Sequence, residues 1–131
     1  MLTLRAYDTS IKRKTQVFLG SKGLEKGYPC GLRRDGRAVQ INEQHEGFLG
    51  FIESNLEKGQ CLVVTRGAVR LKIEDIHKAK VGTPIFCSGA NEFTLSGGCL
   101  VGVLKYIQLD MPNYGLVCFK RFDDAEPFNL K

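Results

Sequence analysis

The sequence predicts an all-β fold, a small β-barrel or sandwich built from two pseudo-repeated β-units. Apolar residues recur in clusters of about four to six rather than in long runs. Glycine is frequent, at 15 of 131 residues, and turn residues separate the apolar clusters about every ten residues. The length suits one domain, and 43% hydrophobic with 25% charged residues is ordinary globular usage.

Ten strands are expected, at 16–19, 29–33, 37–42, 47–53, 60–65, 68–73, 84–87, 92–95, 99–107 and 115–121. Residues 60–73 are expected to form a hairpin that turns at Arg66 and Gly67. Its second arm alternates strictly, so one face is predicted to be buried and the other wet. Residues 74–80 have an acidic start and a basic end, which suits a helix dipole. At most one short helix is therefore expected.

Two stretches of the chain resemble each other, at about 26–66 and 81–121. Each begins with a Gly-x-Pro, continues through a turn and a short alternating strand, and reaches an apolar run that Gly50 or Gly102 interrupts. A glycine inside an apolar strand is typical of a bulge or sharp bend. The alternative is that both glycines merely loosen ordinary strands. The predicted division is an extended basic arm at 1–15, one β domain at 16–121 and an acidic tail at 122–131.

The cysteines and histidines do not form a recognisable site. The five cysteines are odd in number, widely spaced and mostly beside apolar residues, which favours buried free thiols in a reducing compartment. No Cys-x-x-Cys pair occurs, and neither histidine lies at ligand spacing from a cysteine, so no zinc is expected. His45 and His77 lie in polar surroundings, where solvated imidazoles are expected.

Catalytic motifs are also absent from the sequence. It contains no phosphate-binding Gly-Lys-Ser/Thr loop, Gly-x-Ser-x-Gly elbow or His-Glu-x-x-His pair. We therefore expect no catalytic residue, no cofactor, no metal and no enzyme activity. The longest apolar or glycine run, at 97–104, is much shorter than the roughly 18 residues that span a bilayer. Neither a membrane segment nor a secretory signal is predicted.

Positive charge is concentrated near the N-terminus. Residues 1–37 carry nine Lys or Arg and three acidic residues, +6 in total, so the remaining residues sum to −1 of the net +5. Such a basic segment indicates an acidic partner, either nucleic acid or protein, or simply a solvated face. A single-stranded nucleic-acid-binding barrel is the alternative function, with Arg33, Arg34 and Arg37 placed to contact phosphate. Few aromatic residues accompany these cations, so nucleic acid is not the expected partner.

From Gly47 onward the order of motifs resembles that of the small cement or decoration proteins of tailed-bacteriophage heads. The resemblance covers about 75 residues. It is carried by Gly47-x-x-Gly50-x-Ile52, Lys58-Gly59, Thr65-Arg66-Gly67-x-Val69, Lys80-Val81-Gly82-x-Pro84-Ile85-Phe86, Phe93-Thr94-Leu95-Ser96, Leu100-Val101-Gly102-Val103-Leu104 and Gly115-Leu116-Val117-Cys118-Phe119.

The resemblance implies a structural protein of the virion, made in the host cytoplasm and attached to the outer capsid surface. It would bind the major capsid protein, bridge neighbouring subunits, stabilise the shell and associate with further copies of itself. An extended arm can add as a strand to a neighbouring sheet, and basic residues can meet an acidic capsid surface. The candidate capsid-binding residues are Leu2, Leu4, Arg5, Tyr7, Lys12, Arg13, Lys14, Arg33, Arg34 and Arg37.

Overall fold

The computed structural model describes the backbone of residues 3–4 and all of residues 12–128. It confirms the all-β prediction. The strands are β1 (Thr3–Leu4), β2 (Lys14–Leu19), β3 (Pro29–Leu32), β4 (Ala38–Gln40), β5 (Phe48–Asn55), β6 (Gln60–Lys72), β7 (Pro84–Cys87), β8 (Phe93–Thr94), β9 (Cys99–Ile107) and β10 (Tyr114–Lys120). The described residues contain no α-helix, only single 3₁₀ turns at Glu57–Gly59 and Ile76–Lys78. The second turn falls inside the predicted helical segment.

The strands form one curled sheet in the order β4-β3-β5-β6-β10-β9-β7-β8, and β1 and β2 also pair with β6. All pairs between these strands are antiparallel. Two isolated parallel bridges bring the end strands of this sheet back toward its middle. Gly20, after β2, pairs with Ala38 of β4, and Ile73, after β6, pairs with Phe93 of β8. The two predicted units are neighbours in this order, because the first ends within β6 and the second ends with β10. Their relation as a repeat stays a prediction.

The predicted hairpin at 60–73 is wrong, because β6 runs without a turn from Gln60 to Lys72. Arg66 and Gly67 pair with Lys120 and Phe119 of β10, so a partner strand holds this part of the backbone extended. Gly67 has space for a Cβ, and the Phe119 ring would lie 3.6 Å from it. An Arg-Gly pair has the composition of a turn, but pairing with a distant strand determines the conformation here. The alternation predicted for the second half is observed, with Leu71 buried and Lys72 exposed.

Gly50 and Gly102 lie where an adjacent strand approaches closely. A Cβ on Gly50 would overlap the carbonyl oxygen of Val64, and a Cβ on Gly102 would overlap that of Cys118. The register of the β3–β5 and β7–β9 pairs also shifts next to these glycines. The two positions therefore need glycine for the contact between strands, which is more than a loosening of ordinary strands.

The main core lies inside the curled sheet. Phe48 and Phe51 of β5 and Phe119 of β10 pack edge to face there, with ring centroids 4.8–6.2 Å apart. A second cluster around Leu49 and Ile52 lies on the other face of β5. Successive side chains of a strand point to opposite faces, and the register shift beside Gly50 offsets this alternation by one residue. Phe48 and Phe51 therefore share one face and Leu49 and Ile52 the other, so β5 contributes to both cores.

The cysteines are packing residues, as predicted. All five are free, four of them are buried and Cys99 is partly exposed. Burial raises the pKa of Cys87 to about 12 and that of Cys118 to about 11, so both thiols are protonated at neutral pH. Over residues 3–4 and 12–128, no helix is both long and apolar enough to cross a membrane.

Candidate functional site

The predicted N-terminal contact residues are only partly described. Leu2, Arg5 and Tyr7 lie outside the described residues, and for Leu4 only the backbone is described. Leu4 pairs with Val69 of β6. The predicted arm therefore includes a short strand of the chain's own sheet.

The basic residues at 12–14, which fall inside the predicted arm at 1–15, are exposed and lie at the start of β2. Arg13 forms an ion pair with Glu53, and the Lys14 Nζ lies 3.2 Å from a carboxylate oxygen of Glu126. Lys12 is also exposed. Because β2 begins at Lys14, this residue belongs to the β domain and not to the arm.

The second predicted basic group occupies the tip of the β3–β4 hairpin. Arg33 donates two hydrogen bonds to the Asp35 carboxylate, of 3.0 and 2.7 Å, and the Arg37 backbone N–H donates a third, of 3.2 Å. These three hydrogen bonds lower the pKa of Asp35 to about 2, and those from the Arg33 side chain contribute most. The carboxylate thus partly neutralises its two neighbours. Arg34 is exposed and has no hydrogen bond or ion pair within the described part of the chain.

The fold places these two basic groups at opposite ends of β2. Lys14 begins the strand, whereas Gly20, just after its end, forms the bridge to Ala38. Ala38 directly follows the hairpin tip, and its carbonyl accepts a 2.9 Å hydrogen bond from the Ser21 N–H. At about 3.3 Å per residue, the two basic groups are separated by roughly 20 Å along one strand.

In the strand between them only Phe18 is partly buried, and the other residues are exposed. Phe18 packs against the second core cluster, and the Gln16 side chain accepts a 2.9 Å hydrogen bond from Arg121. On the opposite face Val17 is 51% exposed and Leu19 46% exposed. Sequence reasoning found this strand but not its exposed apolar face, because an edge strand and an internal strand have similar local patterns.

Arg66 is a structural residue that sequence reasoning missed. Although it is charged, it is only 4% exposed. It donates hydrogen bonds to the Asp124 carboxylate at 3.2 Å and to the carbonyl oxygens of Glu126 and Pro127 at 3.0 and 2.9 Å. Its guanidinium carbon also lies 5.0 Å from the centre of the Phe128 ring. The predicted acidic tail therefore lies, as far as Phe128, against the β6–β10 face.

A groove of about 870 Å³ lies beside the start of β3. It is lined by Tyr28 and Pro29, the end of β6, the turn between β7 and β8, and the start of β10. Its lining contains three carboxylates and His77 but no serine, threonine or cysteine. Among the described residues no group of three or more His, Cys, Asp or Glu side chains could hold a metal ion.

The two histidines differ in environment. His77 is exposed, as predicted. The prediction for His45 is wrong, since its ring packs directly over Gly31 and its Nδ1 is buried. The absence of a side chain on Gly31 makes space for the imidazole, a contact between residues 14 positions apart.

Comparisons of the chain with protein-family models, curated proteins and solved structures find no match.

Proposed function

We propose that the protein is a structural component of a tailed-phage virion that binds the outside of the head. It bridges neighbouring major capsid subunits and stabilises the shell. The observation that carries the proposal is the placement of two basic groups at the ends of one exposed strand. The residues that carry the resemblance to decoration proteins supply the strands β5 to β10 behind this surface.

Charge supports this function because each of the two basic groups keeps one cation that has no ion pair among the described residues. Lys12 and Arg34 are exposed, whereas Arg13, Lys14, Arg33 and Arg37 each lie near a carboxylate of their own chain. A ligand surface with acidic patches about 20 Å apart would match both groups, and such complementarity directs association and orientation. Capsid subunits present the same patches many times, so a modest affinity for each contact is enough for occupancy.

Binding to an assembled lattice also explains how a small protein can stabilise a shell. A ligand that binds the assembled state and not the separated subunits shifts the equilibrium toward assembly. This effect needs no catalytic group. The candidate surface combines exposed cations with the apolar side chains of Val17 and Leu19, which suits binding.

Co-sedimentation with emptied heads of the phage from which the chain comes tests the proposal. Wild-type protein should pellet with the heads and raise their melting temperature. The double variant Lys12→Glu/Arg34→Glu should bind at least tenfold more weakly, whereas the control Lys78→Glu reverses an exposed charge elsewhere and should bind normally. No wild-type binding, or equal binding by the double variant, would contradict the proposal.

The predicted arm has its own test, with the cut placed according to the structure. Because Lys14 and Thr15 belong to β2, a deletion of residues 1–11 removes the arm without shortening that strand. The arm hypothesis expects a folded domain that no longer binds heads. Binding at wild-type strength would eliminate the arm as the attachment element and leave the basic groups as the site.

A further inference from the structure

Cys87 and Cys99 face each other directly across two adjacent strands. In the antiparallel β7–β9 pair the register places Cys87 opposite Cys99. Side chains at facing positions of a strand pair lie on the same side of the sheet. Cys87 belongs to the main core cluster and Cys99 packs against that cluster, so both thiols lie on the inner side of the sheet. The two thiols are therefore neighbours in the folded protein.

Among the strand pairs of the described sheet, no other cysteine faces a cysteine. The facing residues of Cys30, Cys61 and Cys118 on their neighbouring strands are all of other types. Cys30 and Cys61 share the second core cluster, but β5 lies between their strands. The register thus singles out one pair of thiols among the five.

The backbone brings this pair within the range of a disulfide. The Ser88 N–H donates a 2.8 Å hydrogen bond to the Glu92 carbonyl, on the side of β7 that faces β8. Since successive residues of an antiparallel ladder alternate between the two sides, the Cys87 N–H and C=O point toward β9. A Cβ on Gly98 would overlap the Cys87 carbonyl oxygen, as that direction requires. Cys87 and Cys99 thus form a hydrogen-bonded pair with Cα atoms about 5.5 Å apart, a separation that disulfides commonly span.

We infer that Cys87 and Cys99 are a thiol pair that a small disulfide, such as oxidised glutathione, converts reversibly into a cross-strand disulfide. Cys99 is partly exposed and Cys87 is buried, so Cys99 is the thiol that the oxidant reaches first. Facing Cβ atoms of a strand pair are about 4.5–5.5 Å apart and must approach to about 4 Å in a disulfide. This adjustment strains the bond, and strained disulfides are readily reduced again.

Two exchange steps complete the reaction. The Cys99 thiol loses its proton and its sulfur attacks glutathione disulfide, which joins Cys99 to one glutathione and releases the other as a thiolate. The Cys87 thiol then loses its proton, and its sulfur attacks the Cys99 sulfur and releases the second glutathione thiolate. The two released thiolates take up the two protons, so two electrons pass from the protein to the oxidant. Burial raises the pKa of both thiols, so little thiolate is present at neutral pH and the reaction is slow.

The bond joins the end of the sheet covalently to β9. It closes the chain segment between β7 and β9, which contains β8, the last strand in the order. β8 has only two residues, and it pairs with β7 alone in the strand order. A reducing compartment keeps the two thiols free, whereas an oxidising medium permits the disulfide. The reaction is measured on the isolated protein, so its failure would leave the proposed capsid function standing.

Overnight incubation of the folded, reduced protein with oxidised glutathione tests the inference. After acid quenching, denaturation and alkylation of the free thiols, peptide mass spectrometry should find Cys87 joined to Cys99 and the other three cysteines alkylated. Dithiothreitol should restore all five thiols, and the circular dichroism spectrum should not change on oxidation. Cys99→Ala should leave Cys87 a free thiol. The matched control Cys118→Ala, at a buried cysteine that faces Val103, should form the disulfide as the wild type does.

Three results would overturn the inference. One is a folded wild-type protein whose five thiols all stay free. Another is a bond that joins a different pair, such as Cys30 and Cys61, or that joins two chains. The third is glutathione that stays attached to Cys99 while Cys87 remains a free thiol, which would show that the two facing sulfurs do not reach each other.

Discussion

Replacement of Arg66 by methionine is the most informative change to the isolated protein. Methionine retains an unbranched apolar side chain but removes the guanidinium. The variant loses three hydrogen bonds that join β6 to the C-terminal segment, those to Asp124, Glu126 and Pro127. It also loses the contact of the cation with the Phe128 ring. The C-terminal segment is then expected to leave the β6–β10 face.

The expected loss of stability lies between two limits. Breaking a buried ion pair by removing one partner costs about 3–5 kcal/mol when the remaining group stays buried. Here the Asp124 side chain is 14% exposed, and the two carbonyls regain water if the segment detaches. The loss of Phe128 packing sets the lower limit, at about 1.5–2 kcal/mol. The unfolding free energy should therefore fall by about 2–4 kcal/mol, which corresponds to roughly 8–16 °C in melting temperature.

Urea unfolding followed by circular dichroism measures this loss. Arg121→Met is the control, because Arg121 and its partner Asp123 are more exposed, at 22% and 47% of their side chains. Such a pair contributes less than about 1 kcal/mol. A loss below about 0.5 kcal/mol for Arg66→Met, or equal losses for both variants, would refute the role assigned to Arg66.

Three further predictions concern the core and the pH dependence of stability. Gly102→Ala should destabilise the fold by about 3 kcal/mol or more, because its Cβ overlaps the Cys118 carbonyl. Gly89→Ala, where the nearest atom would be 3.6 Å away, should change the urea midpoint little, and similar losses in both would contradict the reasoning. Burial raises the pKa of Cys87 to about 12 and of Cys118 to about 11, so both thiols ionise first in the unfolded chain. In reducing buffer, stability should be constant below about pH 8.5 and then fall by about 1.4 kcal/mol per pH unit for each thiol; a flat profile up to pH 10 would exclude this coupling. The hydrogen bond from the Glu126 backbone N–H, together with Arg66, lowers the pKa of Asp124 in the folded protein. The stability that this carboxylate contributes is therefore complete above its unfolded pKa of about 3.9 and is lost as the pH falls through its folded pKa. Asp124→Asn should therefore flatten the fall in melting temperature between about pH 5 and about pH 2, and an unchanged slope would show that Asp124 is not coupled to folding.

Local pattern predicted the strand positions well. The strands at 84–87 and 99–107 were predicted with the bounds that the structure shows. Both are short apolar segments bounded by turn residues, and turn chemistry acts over a few neighbouring residues. The hairpin tip before Ala38 could be predicted for the same reason, since Asp and Gly favour a turn regardless of distant partners.

Predictions that depended on distant partners were less successful. Arg66 and Gly67 have a turn composition, but β2 and β10 pair with this part of β6 from opposite sides. The burial of Arg66 likewise depends on a segment 58–61 residues further along the chain. No local pattern marks such a contact, and the sequence predicted Arg66 only as part of a turn.

The candidate surface shows the same division. The sequence identified two basic groups, and their composition indicated an acidic partner. It did not show that a bridge between Gly20 and Ala38 places them at the two ends of one strand. Nor did it show that the strand between them exposes the side chains of Val17 and Leu19.

The sequence by itself determined that the chain forms short strands with buried free cysteines and carries its positive charge near the N-terminus. These properties depend on composition and on alternation between neighbours, which any extended chain expresses. Only the tertiary structure decided that β6 is continuous, that Arg66 holds the C-terminal segment and that β2 exposes Val17 and Leu19. Hydrogen bonds between strands join residues far apart in sequence, so the partner of each strand is a property of the whole sheet.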